Sequence, residues 1–324
     1  MRQPSVTDAA AWHRVVAAAV AHDLPAVPPP TPGQIHAQLT KPALDSQQLM
    51  WLAAAPDGTV TGVAALRLFS SPGQDHLAEL RLHVDPAHRR HGTGSQLLAA
   101  VVAACRTEDR RSLITEATAG GPGAAFCDRW GFRRVLDLDH LVLDLRRVDA
   151  RRIDELCDAG RPGYRLTGWT GTVPDELADA FAAAKGAMND MPVGDLDYGT
   201  LRWDADRVRA MAEVVSGRGD TLLTVAAVHD DGTVAGYTEV VLPQGGAGWA
   251  VQYDTAVVPA HRGHGLGVWV KAAMLRRLRA EHPHVATIET DNAQDNVHML
   301  AVNRRLGFEI AWRTHEYQLD LPVH

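Results

Sequence analysis

The 324-residue chain repeats itself. Asp57-Gly58-Thr59-Val60-Thr61-Gly62 returns as Asp231-Gly232-Thr233-Val234-Ala235-Gly236, 174 residues on. Pro86-Ala87-His88-Arg89 returns as Pro259-Ala260-His261-Arg262, 173 residues on, and the pair Gly131-Phe132 returns as Gly307-Phe308, 176 on. Three matches in one order at nearly one spacing mean two copies of one unit of roughly 150 residues, an ordinary domain size. Domains are therefore expected at 1–148 and 164–324, with a linker at 149–163 that carries Gly160-Arg161-Pro162-Gly163.

Both copies share one grammar. In the first, apolar spacing predicts helices over 7–22, 31–40, 95–107 and 123–130, and strands over 48–55, 59–69, 77–85, 112–117 and 133–145. The second repeats the pattern, with helices over 175–188, 204–216, 267–281 and 294–305. Its strands are expected over 221–229, 233–242, 249–258, 285–290 and 308–321. Asp57-Gly58 and Asp231-Gly232 each join two strands as a hairpin turn would. Antiparallel strands interrupted by one strand–loop–helix crossover define an α+β class: two domains, each a mixed, mostly antiparallel sheet flanked by helices.

Composition removes several classes of function. No apolar run approaches the ~18 residues of a membrane span, and residues 1–30 lack a basic and then apolar leader, so a cytoplasmic setting without membrane partners is expected. A formal net charge of −7 argues against a nucleic-acid partner. Cys105, Cys127 and Cys157 are too few for a disulfide framework, and no His-x-x-x-His pair with a supporting carboxylate suggests a metal. Three lysines (Lys41, Lys185, Lys271) stand beside 29 arginines, which reads as a compositional bias rather than a site. Monomer and homodimer are equally compatible with the sequence.

The loop between each copy's third long strand and the following helix carries the chemistry. It reads Arg89-Arg90-His91-Gly92-Thr93-Gly94 in the first copy and Arg262-Gly263-His264-Gly265-Leu266-Gly267 in the second. Glycines at a helix mouth let backbone N–H groups approach an anion closely, and an arginine adds charge for phosphate. Neither loop ends in Gly-Lys-Ser/Thr, and Leu97 and Val270 stand where a dinucleotide fingerprint needs its third glycine.

This loop after a strand, with Gly-Phe some 35–40 residues later, resembles the GNAT superfamily of acyl-CoA-dependent N-acyltransferases. The resemblance covers both halves of the chain. It implies that the loop amides hold the pyrophosphate of acetyl-CoA, the acyl-donor substrate. It implies also that the strand before the loop splays from its neighbour and pairs with pantetheine. Leu82, His83 and Val84 would line that wedge in the first copy, and Ala256, Val257 and Val258 in the second.

The copies differ where chemistry would occur. The second has Asn292 and Asn296 after its fifth strand, resembling the superfamily's Asn-x-x-x-Asn stretch, with helix capping as the compatible alternative. The first has Thr118-Ala119-Gly120-Gly121 there. At the position where many members carry a proton-donating tyrosine stand Asn303 and Cys127. An ammonium has no lone pair, so transfer to an amine needs a base. Asp254, in an apolar strand, is the first candidate for base, ammonium partner or structural acceptor, and Glu239 the second. The implied activity is acetyl transfer to a primary amine, a small molecule, by direct attack in the second copy. A protein acceptor and a catalytically silent CoA-binding sensor or scaffold remain as alternatives.

Overall fold

The computed structural model describes Pro4, residues 8–41 and residues 43–322. Two compact units interleave along the chain: the described parts of Met1–Leu138, Val193–Thr200 and Arg313–His324 form the first, and Asp139–Pro192 with Leu201–Trp312 the second.

In the first unit, α1 (Ala9–Asp23) and α2 (Pro32–Thr40) precede β1 (Ser46–Ala54), β2 (Val60–Phe69) and β3 (Leu77–Val84). Then come α3 (Thr93–Thr107), β4 (Ser112–Thr118), α4 (Pro122–Arg129) and the start of β5 (Arg133–Asp144). Local chemistry fixes several of these ends. Thr31 and Gln34 form a reciprocal capping box before Pro32, which suits the first helical position because it has no N–H to satisfy. Asp57 Oδ1 accepts from Thr59 N at 2.9 Å to tie the hairpin, and Asp231 does the same for Thr233 in the second unit. Leu66, Leu80, Leu97, Val101 and Leu113 pack between sheet and α3, while Trp12, Val15, Val63 and Ile35 fill the opposite face.

The second unit contains the remainder of β5, α5 (Ala150–Asp158), β6 (Tyr164–Thr170), α6 (Ala178–Lys185) and α7 (Ala205–Gly217). It continues through β7 (Thr221–His229), β8 (Val234–Leu242), β9 (Trp249–Val257), α8 (Leu266–Glu281), β10 (Thr287–Ala293) and α9 (Val297–Leu306). β11 (Glu309–Asp320) is the last strand. The segment expected as a linker thus holds a helix, α5, whose first turn is capped by Asp149 accepting from Arg152 N at 3.3 Å. Ile153, Leu156 and Cys157 of α5 join the core of α8.

The first unit's sheet runs β1-β2-β3-β4-β11 and the second's β5-β10-β9-β8-β7-β6. The final strand of the chain therefore closes the first sheet, antiparallel to β4 from Thr314 opposite Thr118 to Asp320 opposite Ser112. From Asp139 onward β5, the first copy's last strand, belongs to the second unit. β3–β4 and β9–β10 are parallel pairs, where the strand–loop–helix crossover returns.

Candidate active site: an unequal pair of wedges

Both parallel pairs stop early. β3 pairs with β4 only from Leu77–Ser112 to Leu80–Thr115, and β9 with β10 only from Trp249–Thr287 to Val251–Glu289. Beyond these points the strands diverge. Leu82, His83 and Val84 lie past the last pair in the first unit, as do Ala256 and Val257 in the second, with Val258 just after the strand. Their backbone groups on the wedge side do not pair with β4 or β10, and apart from Val84 O and Val257 O, which accept from arginines, and Val258 N, which donates to Ala235 O, they can meet an extended ligand. Burial, aided by Arg81, pushes the His83 imidazole down to about 4, so it stands neutral in its wedge.

Each wedge leads into its glycine loop. Gly92 caps α3 with φ 85° and Gly265 caps α8 with φ 71°, a left-handed turn that points the helix's first N–H groups outward. A Cβ on Gly92 would meet nothing within 4 Å. A Cβ on Gly94 would meet Phe126 at 3.3 Å, and one on Gly267 would touch Val257 and Val302 at 3.7 and 3.8 Å. Arg90 has φ 67° where the second loop has Gly263; His91 and His264 are exposed. Leu266 is buried and anchors its loop in the core, and Thr93 opens α3.

The arginines expected to meet phosphate have protein partners. Arg89 donates through Nε to Val84 O at 3.2 Å and holds Asp23 with two bonds of 2.8 Å. Arg262 repeats this, with Nε to Val257 O at 3.2 Å and Nη2 to Asp190 at 2.9 Å. A different arginine reaches the second loop. A Cβ on Gly265 would lie 3.3 Å from Arg161 Nε and 3.4 Å from its Nη2. The guanidinium also lies 5.8 Å from the Trp269 ring, and Arg161 has no carboxylate partner among the described residues. A cation at the positive end of α8 is unfavourable unless an anion joins it. The cradle at Gly265 therefore fits a phosphate group. The sequence signal for Arg161 was hidden in a stretch that reads as linker.

At the root of the second wedge the strand register breaks. Thr238 faces Thr255 and Val240 faces Gln252, so Tyr253 and Asp254 together oppose Glu239 in a β-bulge. The β2–β3 ladder has no such shift, and Ala65 there faces Arg81. Lys185, the last residue of α6, extends into the bulge. Its Nζ donates to Glu239 Oε2 at 2.7 Å and to Asp254 Oδ2 at 2.5 Å, and lies 4.6 Å from the Trp203 ring centre. Lys185 and Glu239 are buried, whereas the Asp254 side chain is 34% exposed. Burial opposes the charge on Lys185, yet the two carboxylates hold its ammonium well above the ordinary value. Burial raises the Glu239 carboxyl, and Lys185 offsets part of that rise. Sequence reasoning found both acids and missed the lysine between them. A lysine in so arginine-rich a chain was the available signal.

Across the wedge, Asn303 is fully buried and donates to Asn292 Oδ1 at 2.5 Å, while its own Oδ1 has no partner. Asn296 caps α9, accepting from Met299 N at 3.2 Å. The two asparagines after β10 thus divide their work: Asn296 fixes the helix and Asn292 holds Asn303. In the first unit Cys127 is buried and pushed up to about 12 by that burial, and Glu79 is paired with Arg67 and Arg81. Among the described residues no His, Cys, Asp and Glu cluster could hold a metal, and no helix is long and apolar enough to cross a membrane.

Splayed parallel strands that feed a glycine loop and a helix mouth, built twice in one chain, define a tandem acyl-transfer fold. The family model for the acetyltransferase (GNAT) family matches residues 18–132 and 192–308, and the chain belongs to that family. A solved tandem GNAT protein from the clavulanic acid biosynthesis pathway is 29% identical, with a TM-score of 0.81 over 99% of this chain and 98% of that one. A GCN5-related N-acetyltransferase from Sphaerobacter thermophilus shares the fold at 17% identity, with a TM-score of 0.73 over 99% and 95%. A search of curated proteins gives no match.

Proposed function

We propose that the protein is an acetyl-CoA-dependent N-acetyltransferase whose second copy, residues 164–324, acetylates a small-molecule primary amine. The first copy, 1–148, is a degenerate partner joined through 149–163. The observation that carries this reading is the bulge that sets Asp254 at the root of the second wedge, against an unbroken ladder in the first, where Ala65 faces Arg81. The relative at 29% identity, a tandem GNAT protein of a small-molecule biosynthesis pathway, supports a small-molecule acceptor.

The loop Gly263–Gly267 and the first turn of α8 receive the pyrophosphate, with Arg161 supplying positive charge. The free edge of Ala256, Val257 and Val258 pairs with pantetheine and brings the thioester to the bulge. Asp254 takes the proton of the incoming ammonium, and Glu239 is the second acid. The freed amine then attacks the thioester carbonyl: the N–C bond forms, the C–S bond breaks, the sulfur leaves as a thiolate, and the new amide nitrogen gives its second proton to water. Asn303 is the candidate to hydrogen-bond that sulfur, and the same water supplies its proton, since Asn303 stands in the place of the tyrosine.

Acetyl-CoA incubated with a panel of primary amines tests the reading through release of free thiol and a product heavier by one acetyl group. Transfer only to peptide amines would move the acceptor to proteins. Binding of acetyl-CoA without thiol release from any amine would make the protein a silent CoA-binding module.

A further inference from the structure

Lys185 has no part in the transfer steps, and its position is costly. Burying an ammonium and a carboxylate together seldom stabilises a fold relative to apolar side chains of similar volume. Lys185 nevertheless sits 4% exposed at the end of α6, beside the 6% exposed Glu239. The groups that face its Nζ are Glu239 and Tyr237 from β8, Asp254 from the bulge of β9, and the Trp203 ring. Its two bonds go to one oxygen of each acid. Asp254 Oδ1 has no partner among the described residues, and the Asp254 side chain is 34% exposed. Because both bonded oxygens lie within 2.7 Å of one nitrogen, they are at most about 5 Å apart. Two carboxyl groups that close, without a cation between them, would share a proton.

We propose that Lys185 is a positioning residue for the acceptor amine: by holding Glu239 Oε2 and Asp254 Oδ2 it leaves Asp254 Oδ1, on the more exposed of the two acids, as the carboxylate oxygen offered at the wedge. The three groups together carry one net negative charge. The site therefore takes a singly charged ammonium, whose proton passes to Oδ1 as the nitrogen lone pair becomes free. This rests on the transferase reading above and assigns the residue that makes the two acids act as one base.

The test uses the full chain labelled with ¹³C at its Asp and Glu side-chain carboxyls, titrated by NMR. D254N and E239Q identify the two signals. K185R should keep the wild-type steps, since a cation still offsets part of the rise that burial imposes on Glu239. In K185M the two acids share a proton, and the upper step of the pair rises by about one pH unit or more. Unchanged midpoints in K185M would overturn the proposal. Should K185M fail to fold, K185M/E239Q decides, since it buries neither an unpaired lysine site nor an unpaired glutamate. The remaining carboxyl should then titrate as a single group, higher than the lowest step of the wild-type pair. A midpoint equal to that step would overturn the proposal. Failure of the wild type to acetylate any amine would sink the transferase reading and leave these titrations as they are.

Discussion

Gly265→Ala and Gly92→Ala form a matched pair of perturbations. Both residues cap a helix in the left-handed region, at φ 71° and 85°. An alanine there costs about 1–2 kcal/mol of backbone strain. For a unit of this size that lowers Tm by roughly 2–8 °C. At Gly92 the added methyl meets nothing within 4 Å, so strain is the whole effect. At Gly265 it also lands 3.3 Å from Arg161 Nε, in the space that the second loop offers to phosphate. Ligand binding therefore separates the two variants more clearly than stability does. Acetyl-CoA at ten times the wild-type Kd stabilises the folded protein by about 1.4 kcal/mol, and a tenfold weaker complex by about 0.4 kcal/mol at the same concentration. Differential scanning fluorimetry with and without acetyl-CoA reads this directly. Gly92→Ala should keep the ligand-induced rise in Tm, and Gly265→Ala should lose most of it. A full rise in Gly265→Ala, or its loss in Gly92→Ala, would refute the placement of the cofactor cradle.

Arg161→Ala should weaken acetyl-CoA binding by about tenfold or more, since a charge-assisted hydrogen bond contributes about 1.5–3 kcal/mol; an unaltered Kd by calorimetry would release Arg161 from that role. Asp254→Asn should lower kcat/KM by about 10²–10⁴ while the acetyl-CoA thermal shift survives, and normal turnover would pass the role to Glu239, with Glu239→Gln the next variant. Lys271 is buried over the Phe308 ring, and burial pushes its amine down to about 7. Between that value and the ordinary lysine range the unfolded chain binds the extra proton, so the penalty is full below pH 7 and fades as pH rises. Lys271→Met should therefore raise the urea midpoint at pH 7, with its advantage over wild type shrinking toward pH 10. A constant difference across that range would show that Lys271 is not buried as a charge.

The repeat and the glycine loops were readable because they depend on local sequence. Asp57-Gly58 must turn, and Gly92 and Gly265 must cap, whatever surrounds them. Strand partnership was not readable in the same way. The closing strands 133–144 and 309–320 were visible as apolar runs, but alternation says which face is buried and nothing about which sheet receives it. Hence the exchange, which seats Thr314–Asp320 beside β4 of the first unit, appears only in the fold. The same limit hid the centre of the site. Asp254 and Glu239 could be suspected because a carboxylate in an apolar strand needs a reason. Lys185 closes an alanine-rich helix and lies 54 and 69 residues from its partners in sequence, so it reads there as part of a compositional bias. Arg262 and Arg89 are the converse case. Each sits where a phosphate ligand is expected, yet Asp190 and Asp23, far away in sequence, engage their guanidinium groups.

That the two copies have unequal roles is tested most directly by acetyl transfer from two proteins, one with Gly92 and Gly94 both replaced by valine and one with Gly265 and Gly267 so replaced. Each is assayed for thiol release with the amine that the wild type uses best, and for folding by circular dichroism. The first should retain most of the wild-type turnover, and the second should lose it while remaining folded. Equal loss from both, or loss confined to the first, would contradict the assignment of chemistry to the second copy.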